Sequence, residues 1–247
     1  MLFTKEQIFI VTGASSGLGE ATALMLNKEG ASVIAIARNV ERLNKLKEKA
    51  EHPENVFIEV KDLTEDIEGL PDYVKMLKDK YGKLQGLAYC AGIVCTKPAR
   101  MLNYNEIQEL FAIDYFAPFF LMKGFADKRN NTGKGAAAVA ISSASAYTSD
   151  RGMSAYSGVK AALIASLKSL AREVVTSGVR INTVSPSDIK TPMTMNPELV
   201  ELRPNKEAEY PLGFGEPCDV ANMIVYLLSD KAKWITAKDY IIDCGVI

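Results

Sequence analysis

Seven short apolar, β-branched runs separated by longer amphipathic segments constrain this 247-residue chain more than any other feature. The runs are "QIFIVT", "SVIAIA", "NVFIEV", "LQGLAYC", "AAAVAIS", "VRINTVS" and "YIID". Between them lie helix-like stretches, among them "LGEATALMLNKEG", "LPDYVKMLKDKYG", "NEIQELFAIDYFAPFFLMKGFA" and "SAYSGVKAALIASLKSLAREVVTSG". Strands that are hydrophobic at nearly every position are covered on both faces, and strand alternating with helix predicts a parallel sheet. The expectation is an α/β fold: one seven-stranded, doubly wound parallel sheet with helices on both faces. Gly30, Gly82 and Gly178 close three helices, where a left-handed cap favours glycine. No repeat or linker interrupts the pattern, so residues 1–247 read as one domain.

One stretch breaks the rhythm. Residues 185–215, "SPSDIKTPMTMNPELVELRPNKEAEYPLGFG", are rich in proline and polar residues. So long a segment between strand and helix reads as a binding lid, with a disordered insertion as the alternative. Met193, Met195 and Leu199 within it suggest either a moderately apolar substrate pocket or subunit packing.

Composition excludes several classes. A net charge of −1 with dispersed Lys and Arg gives no footprint for nucleic acid or an anionic membrane. No apolar run approaches the roughly 18 residues needed to span a bilayer, and the N-terminus enters a strand pattern at once, without a signal peptide. Cys90, Cys95, Cys218 and Cys244 lack metal-ligand spacing, and His52, in "KAEHPEN", reads as a solvated loop residue. The expectation is a reduced, cytoplasmic protein with no metal site.

Directly after the first run comes "TGASSGLGEATALML", with Gly13, Gly17 and Gly19 ahead of a helix. Glycines there let the backbone approach a pyrophosphate, and the helix N-terminus offers free N–H groups to it. A glycine triplet alone is weak; in the first strand-to-helix turn of a doubly wound sheet it points to a dinucleotide on a Rossmann fold. Further on, "SAYSGVK" places Tyr156 and Lys160 one helical turn apart, on one face. In isolation that pair is surface decoration. Beside a bound cofactor it handles protons, because an ammonium stabilises a phenolate.

The spacing Gly-x-x-x-Gly-x-Gly after Thr12 resembles the short-chain dehydrogenase/reductase family, and the resemblance runs down nearly the whole chain. Asp62 in "KDLTED", "YCAG" at 89–92, Ser143 thirteen residues before Tyr156, "INTVSPSDIKTPM" and "YIIDCG" all fall in its order. The 3-oxoacyl-[acyl-carrier-protein] reductases are the nearest broad likeness, through "SLKSLAREV" and "GVRINTVSP". The resemblance implies catalysis by Ser143, Tyr156 and Lys160, with Ser143 polarising a carbonyl, Tyr156 as acid and base, and Lys160 also gripping ribose. It implies cofactor contacts at Gly13, Ser15, Ser16, Gly17, Leu18 and Gly19 in the turn. Further contacts are implied at Arg38, Asp62, Leu63, Cys90, Ala91, Gly92, Ile189 and Thr191, besides Tyr156 and Lys160. It also implies a homo-oligomer, tetramer or dimer.

The end of the second strand bears on the cofactor. Ala37 stands where NAD-selective relatives carry an acid, and Arg38 follows. A guanidinium suits a 2′-phosphate, so NADP(H) is favoured over NAD(H), although Ser16 stands where many NADP-preferring relatives carry a second base. Arg38 as a solvated helix-entry charge is the alternative. Departures are few: Asp114 where the family has a catalytic asparagine, Tyr89-Cys90 for two asparagines, and Ser187 and Cys244 for glycines. Asp114 is kept as a relay member, by pairing with Lys160 or with its own proton affinity raised.

The expected activity is NADPH-dependent, reversible reduction of a small-molecule carbonyl to a secondary alcohol. The substrate could be carrier-bound acyl, for which Arg100, Lys123, Lys128 and Arg129 would form a basic entrance. The competing reading is an NAD(P)-sensing binding protein that has lost its chemistry. A sugar-nucleotide epimerase or dehydratase fits less well, for such chains run longer and space their glycines differently.

Overall fold

A computed structural model describes residues 1–203 and 206–247, without the side chains of Glu198, Leu199 and Leu202. The expectation for Leu199 lies outside the described residues. Strands β1 (Ile8–Thr12), β2 (Ser32–Ala37), β3 (Val56–Val60), β4 (Leu84–Tyr89), β5 (Ala137–Ile141), β6 (Arg180–Pro186) and β7 (Asp239–Ile242) form one sheet. The order is β3-β2-β1-β4-β5-β6-β7, with every pairing parallel. The order reverses between β1 and β4, and ligands of such sheets bind in the crevice at the strands' C-terminal ends there.

Helices α1 (Gly17–Lys28), α2 (Val40–Lys49), α3 (Leu70–Tyr81), α4 (Tyr104–Phe111) and α5 (Ala117–Ala126) follow the first four strands. After β5 come the short α6 (Ser145–Thr148) and the long α7 (Ser154–Val174); α8 (Pro197–Leu202) and α9 (Pro217–Leu228) lie between β6 and β7. Leu26, Leu43, Leu46, Val220 and Ile224 pack α1, α2 and α9 on one face; Leu77, Leu121, Phe125, Leu163 and Leu167 pack α3, α5 and α7 on the other. Alternate residues of one strand serve opposite faces: Phe9 and Val11 the first, Ile8 and Ile10 the second. That is why the strands read as unbroken apolar runs.

Register levels the C-terminal strand ends. Thr12 pairs with Ile36 of β2 and Tyr89 of β4, Tyr89 with Ala140 of β5, and Ala140 with Thr183 of β6. Residues just beyond these positions therefore emerge along one rim. Gly30, Gly82 and Gly178 have φ of +97°, +109° and +86°. The stretch read as one helix over 105–126 is interrupted by a π turn, Ala112–Phe116, that joins α4 to α5. Among the described residues, no helix is long and apolar enough to cross a membrane.

Candidate active site

The rim carries a cleft of about 1490 Å³. The glycine turn forms one wall. Thr12, fully buried, accepts hydrogen bonds at its Oγ1 from Cys90 N (3.0 Å) and Ala91 N (3.2 Å), which ties the ends of β1 and β4. Gly13 has φ +63°, and a Cβ there would lie 2.8 Å from Ala91 N, so only glycine lets the turn sit against the β4 end. Ser15, Ser16, Gly17 and Leu18 line the cleft, as do Cys90, Ala91 and Gly92 opposite. Gly19 does not. It is buried beneath the turn against Gly13 O, too close for a side chain, so its place is in helix–strand packing rather than in contact with a ligand.

At one end of the cleft Arg38 is 77% exposed, with Nη1 3.5 Å from Asp62 Oδ2. Hydrogen bonds from Thr64 Oγ1 (2.6 Å) and Thr64 N (2.9 Å) hold the Asp62 carboxyl below its usual range, with Arg38 adding to the effect. Leu63 lies beside it in the cleft. Two cations that the sequence reading missed stand at this end: Arg42, one helical turn beyond Arg38, and Lys61. Asn39 caps α2 by accepting from Arg42 N (2.9 Å), which fixes where that helix starts. A glycine turn shaped for close approach to phosphate fits a nicotinamide dinucleotide.

The middle of the cleft gathers Ser143, Tyr156, Lys160 and Asp114. The two neighbouring serines differ. Ser142 is buried and donates to Lys160 O (3.1 Å), tying β5 to α7, whereas Ser143 Oγ accepts from Ser145 N (3.1 Å) at the start of α6. Lys160, 3% exposed, donates from Nζ to Asp114 Oδ1 (2.8 Å) and to Ile141 O (3.2 Å), and its ammonium lies 5.5 Å from the centroid of the Tyr156 ring. Asp114, fully buried, also accepts at Oδ2 from Ile93 N (3.3 Å).

Electrostatics here departs from the simple expectation. Burial drives the Tyr156 phenol above its ordinary range; Lys160 and Ser143 pull it down, Asp114 and Asp188 push it up, and the net is upward. Burial alone would lower Lys160, but Asp114 and Tyr156 hold the ammonium above its usual value. Burial raises the Asp114 carboxyl, against the pull of Lys160 and the Ile93 N–H.

The far wall comes from the irregular segment after β6. Ile189 and Thr191 line the cleft, with Met193 beside them. Met193 and Met195 are both largely exposed. Ser187, in place of the expected glycine, donates to Tyr210 Oη (2.5 Å), which donates to Asp188 Oδ2 (2.9 Å). Arg203 donates to both Asp188 oxygens, at 3.2 and 3.0 Å. This polar clamp was not anticipated. Its partners are 15 to 23 residues apart in a segment without periodicity. Cys244, at the other replaced glycine, keeps a left-handed φ of +59°, and its Sγ accepts from Leu212 N.

The expected basic entrance is not at the cleft. Arg100, Lys123, Lys128 and Arg129 do not line it. Asn130 and Asn131, which directly follow the last two, pair with Leu84 at the start of β4, so the C-terminal end of α5 stands at the opposite edge of the sheet. Arg129 is engaged by Asp127, and Lys123 lies over the Phe120 ring.

A doubly wound parallel sheet, a glycine turn at its crevice and a Ser/Tyr/Lys cluster in the same cleft define a nucleotide-dependent oxidoreductase of Rossmann type. Residues 13–247 match the family model described as enoyl-(acyl carrier protein) reductase. The chain is 31% identical over 254 residues to a 3-oxoacyl-[acyl-carrier-protein] reductase FabG of Thermotoga maritima, covering 98% of both chains. It is 29% identical to an NADP-dependent (R)-specific alcohol dehydrogenase of Lentilactobacillus kefiri, covering 98% of this chain and 96% of that one. A crystal structure of a glucose/ribitol dehydrogenase from Brucella melitensis superposes with a TM-score of 0.90 at 25% identity, over 100% and 99% of the two chains. The chain belongs to the short-chain dehydrogenase/reductase family, enzymes that interconvert CH–OH and C=O groups with a nicotinamide cofactor.

Proposed function

We propose that the protein is an NADPH-dependent carbonyl reductase, reversible on a ketone and secondary alcohol pair, with Ser143, Tyr156, Lys160 and Asp114 as its proton-handling set. The observation that carries this reading is the convergence of all four side chains in the cleft that the glycine turn also lines. The turn residues Gly13, Ser15, Ser16, Gly17 and Leu18 would hold the pyrophosphate. Arg38, Arg42 and Lys61 would face a 2′-phosphate, Asp62 and Leu63 the adenine. Cys90, Ala91, Gly92, Ile189 and Thr191 would border the nicotinamide end. When bound, the cofactor supplies a hydride.

The side chains of this protein do the rest. Ser143 donates to the carbonyl oxygen and polarises it. Tyr156 gives its phenolic proton to that oxygen as negative charge develops, and takes it back in the reverse direction. Lys160 orders the ribose and steadies the phenolate. Residues 185–215 would serve as the lid, with Arg203 and Tyr210 clamped to Asp188 within it. The names of the relatives support a 3-oxoacyl thioester or a simple secondary alcohol as substrate. All are named reductases or dehydrogenases, so the binding-only alternative gains nothing. Trp234, 96% exposed, and Ile241 on the edge strand β7 support assembly into a homo-oligomer, and four free cysteines suit the cytoplasm.

The test is NADPH oxidation over ketones, quinones and 3-oxoacyl thioesters, run with Tyr156→Phe beside the native protein. Native turnover with loss of nearly all of it in the variant, cofactor affinity being retained, is the expected result. Near-normal turnover in Tyr156→Phe would refute the mechanism, and cofactor binding without turnover by the native protein would refute the function.

A further inference from the structure

We propose that Asp114, through its ion pair with Lys160, holds Tyr156 in the protonated form and so fits this enzyme to carbonyl reduction at neutral and mildly alkaline pH. The inference rests on the assignment of Tyr156 as proton donor and adds to it a positioning residue that sets its working range.

The backbone delivers this carboxylate on purpose-built geometry. The π turn at 112–116 aims Asp114 inward, and Tyr89, buried at the end of β4, donates from its hydroxyl to Ile113 O (2.7 Å), pinning the turn next to Asp114. Gly92 leaves the necessary space, for a Cβ there would lie 2.5 Å from Asp114 Oδ1. Both carboxylate oxygens accept from N–H donors, Oδ1 from Lys160 Nζ and Oδ2 from Ile93 N, which is the pattern of an ionised group. A neutral amide at this position would leave the ammonium free to stabilise the phenolate.

The charges facing Tyr156 show which effect wins. From α7 comes Lys160; from the π turn, Asp114; from the end of β6, Asp188, itself clamped by Arg203. Cys90 and Tyr89, at the end of β4, are both held neutral by burial, and Asp62 lies beyond Tyr89. Asp114 sits 2.8 Å from the one ammonium in this set and opposes its field at the phenol. With burial added, the proton stays on Tyr156.

The kinetic consequence has a definite sign. In reduction, the hydride that a bound dihydronicotinamide would give up forms a C–H bond at the carbonyl carbon, the C=O π electrons move to oxygen, and the O–H bond of Tyr156 breaks to protonate it. The carbonyl is reduced and the nicotinamide oxidised, so reduction needs the phenol. Oxidation needs the phenolate. Reduction therefore declines, and oxidation rises, as pH climbs through the ionisation of Tyr156. Asp114→Asn removes the opposing charge and moves both limbs to lower pH by ~1 unit. Below the limbs, oxidation becomes ~10-fold faster at a given pH.

The experiment measures kcat/KM against pH in both directions for the native protein and Asp114→Asn. Ultraviolet difference titration of tyrosinate, with Tyr156→Phe as the blank, reports the phenol independently of turnover. Expected is a downward displacement of both limbs and of the tyrosinate step. Coincident profiles, or displacement upward, would overturn the proposal. Should Asp114→Asn fail to fold, Asp114→Ser carries the same test: a lowered tyrosinate step supports the inference, and an unmoved or raised one overturns it. The two readings fail separately. Turnover surviving in Tyr156→Phe removes the reaction assignment, whereas a tyrosinate step unmoved by Asp114→Asn removes only the role of Asp114.

Discussion

Ser142 and Ser143 are adjacent and chemically identical, yet their surroundings assign them opposite duties, which two alanine substitutions can separate. Ser142 is buried, and its hydroxyl ties β5 to α7 at Lys160 O (3.1 Å). Removing it loses one buried hydrogen bond, net about 1 kcal/mol. For a chain of this size that lowers Tm by about 2–4 °C. The Lys160 side chain keeps its bonds to Asp114 and Ile141 O, so turnover should stay within about threefold. Ser143 faces the cleft and makes one local bond, to Ser145 N. Its loss should leave Tm within about 1 °C but lower kcat on the order of 10²–10³-fold, as when one donor to a developing oxyanion is removed. Thermal melts beside NADPH oxidation rates on both variants give the answer. Loss of turnover with an unchanged Tm in Ser142→Ala, or the reverse pattern in Ser143→Ala, would refute the division of labour.

Arg38→Asp should lower the NADPH/NADH ratio of kcat/KM by about 10- to 100-fold, the worth of a charge-assisted contact of about 1.5–3 kcal/mol. An unchanged ratio would leave phosphate recognition to Arg42 and Lys61 alone. Burial pushes the Cys90 thiol up to about 12, against weaker pulls from Thr22 and Lys160. Only about one molecule in 10⁴ then carries the thiolate at pH 8, so Cys90 should alkylate far more slowly than the exposed Cys218. Peptide mass spectrometry after timed iodoacetamide treatment checks the order, and labelling of Cys90 first would contradict it.

The strands were legible almost to the residue because each is buried on two faces, and that leaves a run of apolar letters with abrupt ends. The glycine turn and the Tyr156/Lys160 pair were legible because their geometry is local, one turn of chain or one turn of helix. What escaped depends on distance in sequence. Arg42 and Lys61 join Arg38 only once α2 and β3 lie side by side, and the clamp on Asp188 needs the path of an aperiodic segment. Tyr89 looked like a lost asparagine, but its hydroxyl reaches Ile113 O across the sheet's rim. The net upward drive on Tyr156 follows from burial, which a list of neighbouring residue types does not reveal. For Lys123, Lys128 and Arg129 the basic entrance failed for a directional reason: α5 runs antiparallel to the strands, so its last turn ends at the far edge of the sheet. Arg100 sits on a separate turn, Ala99–Met101, and does not line the cleft.

The π turn at 112–116 has a further consequence, for how this lineage can gain and lose residues. A turn of this kind houses one residue beyond what uniform winding needs. Its flanks keep regular buried faces, Leu110 on α4 against Tyr156 and Val159, and Leu121 with Phe125 on α5 in the main core. Excising a single codon here would let the rod rewind as unbroken helix with both flanks still seated. The scaffold would survive, while the inward carboxylate would rotate out of reach of its ammonium. The scaffold and the Asp114–Lys160 contact are thus separable at one codon.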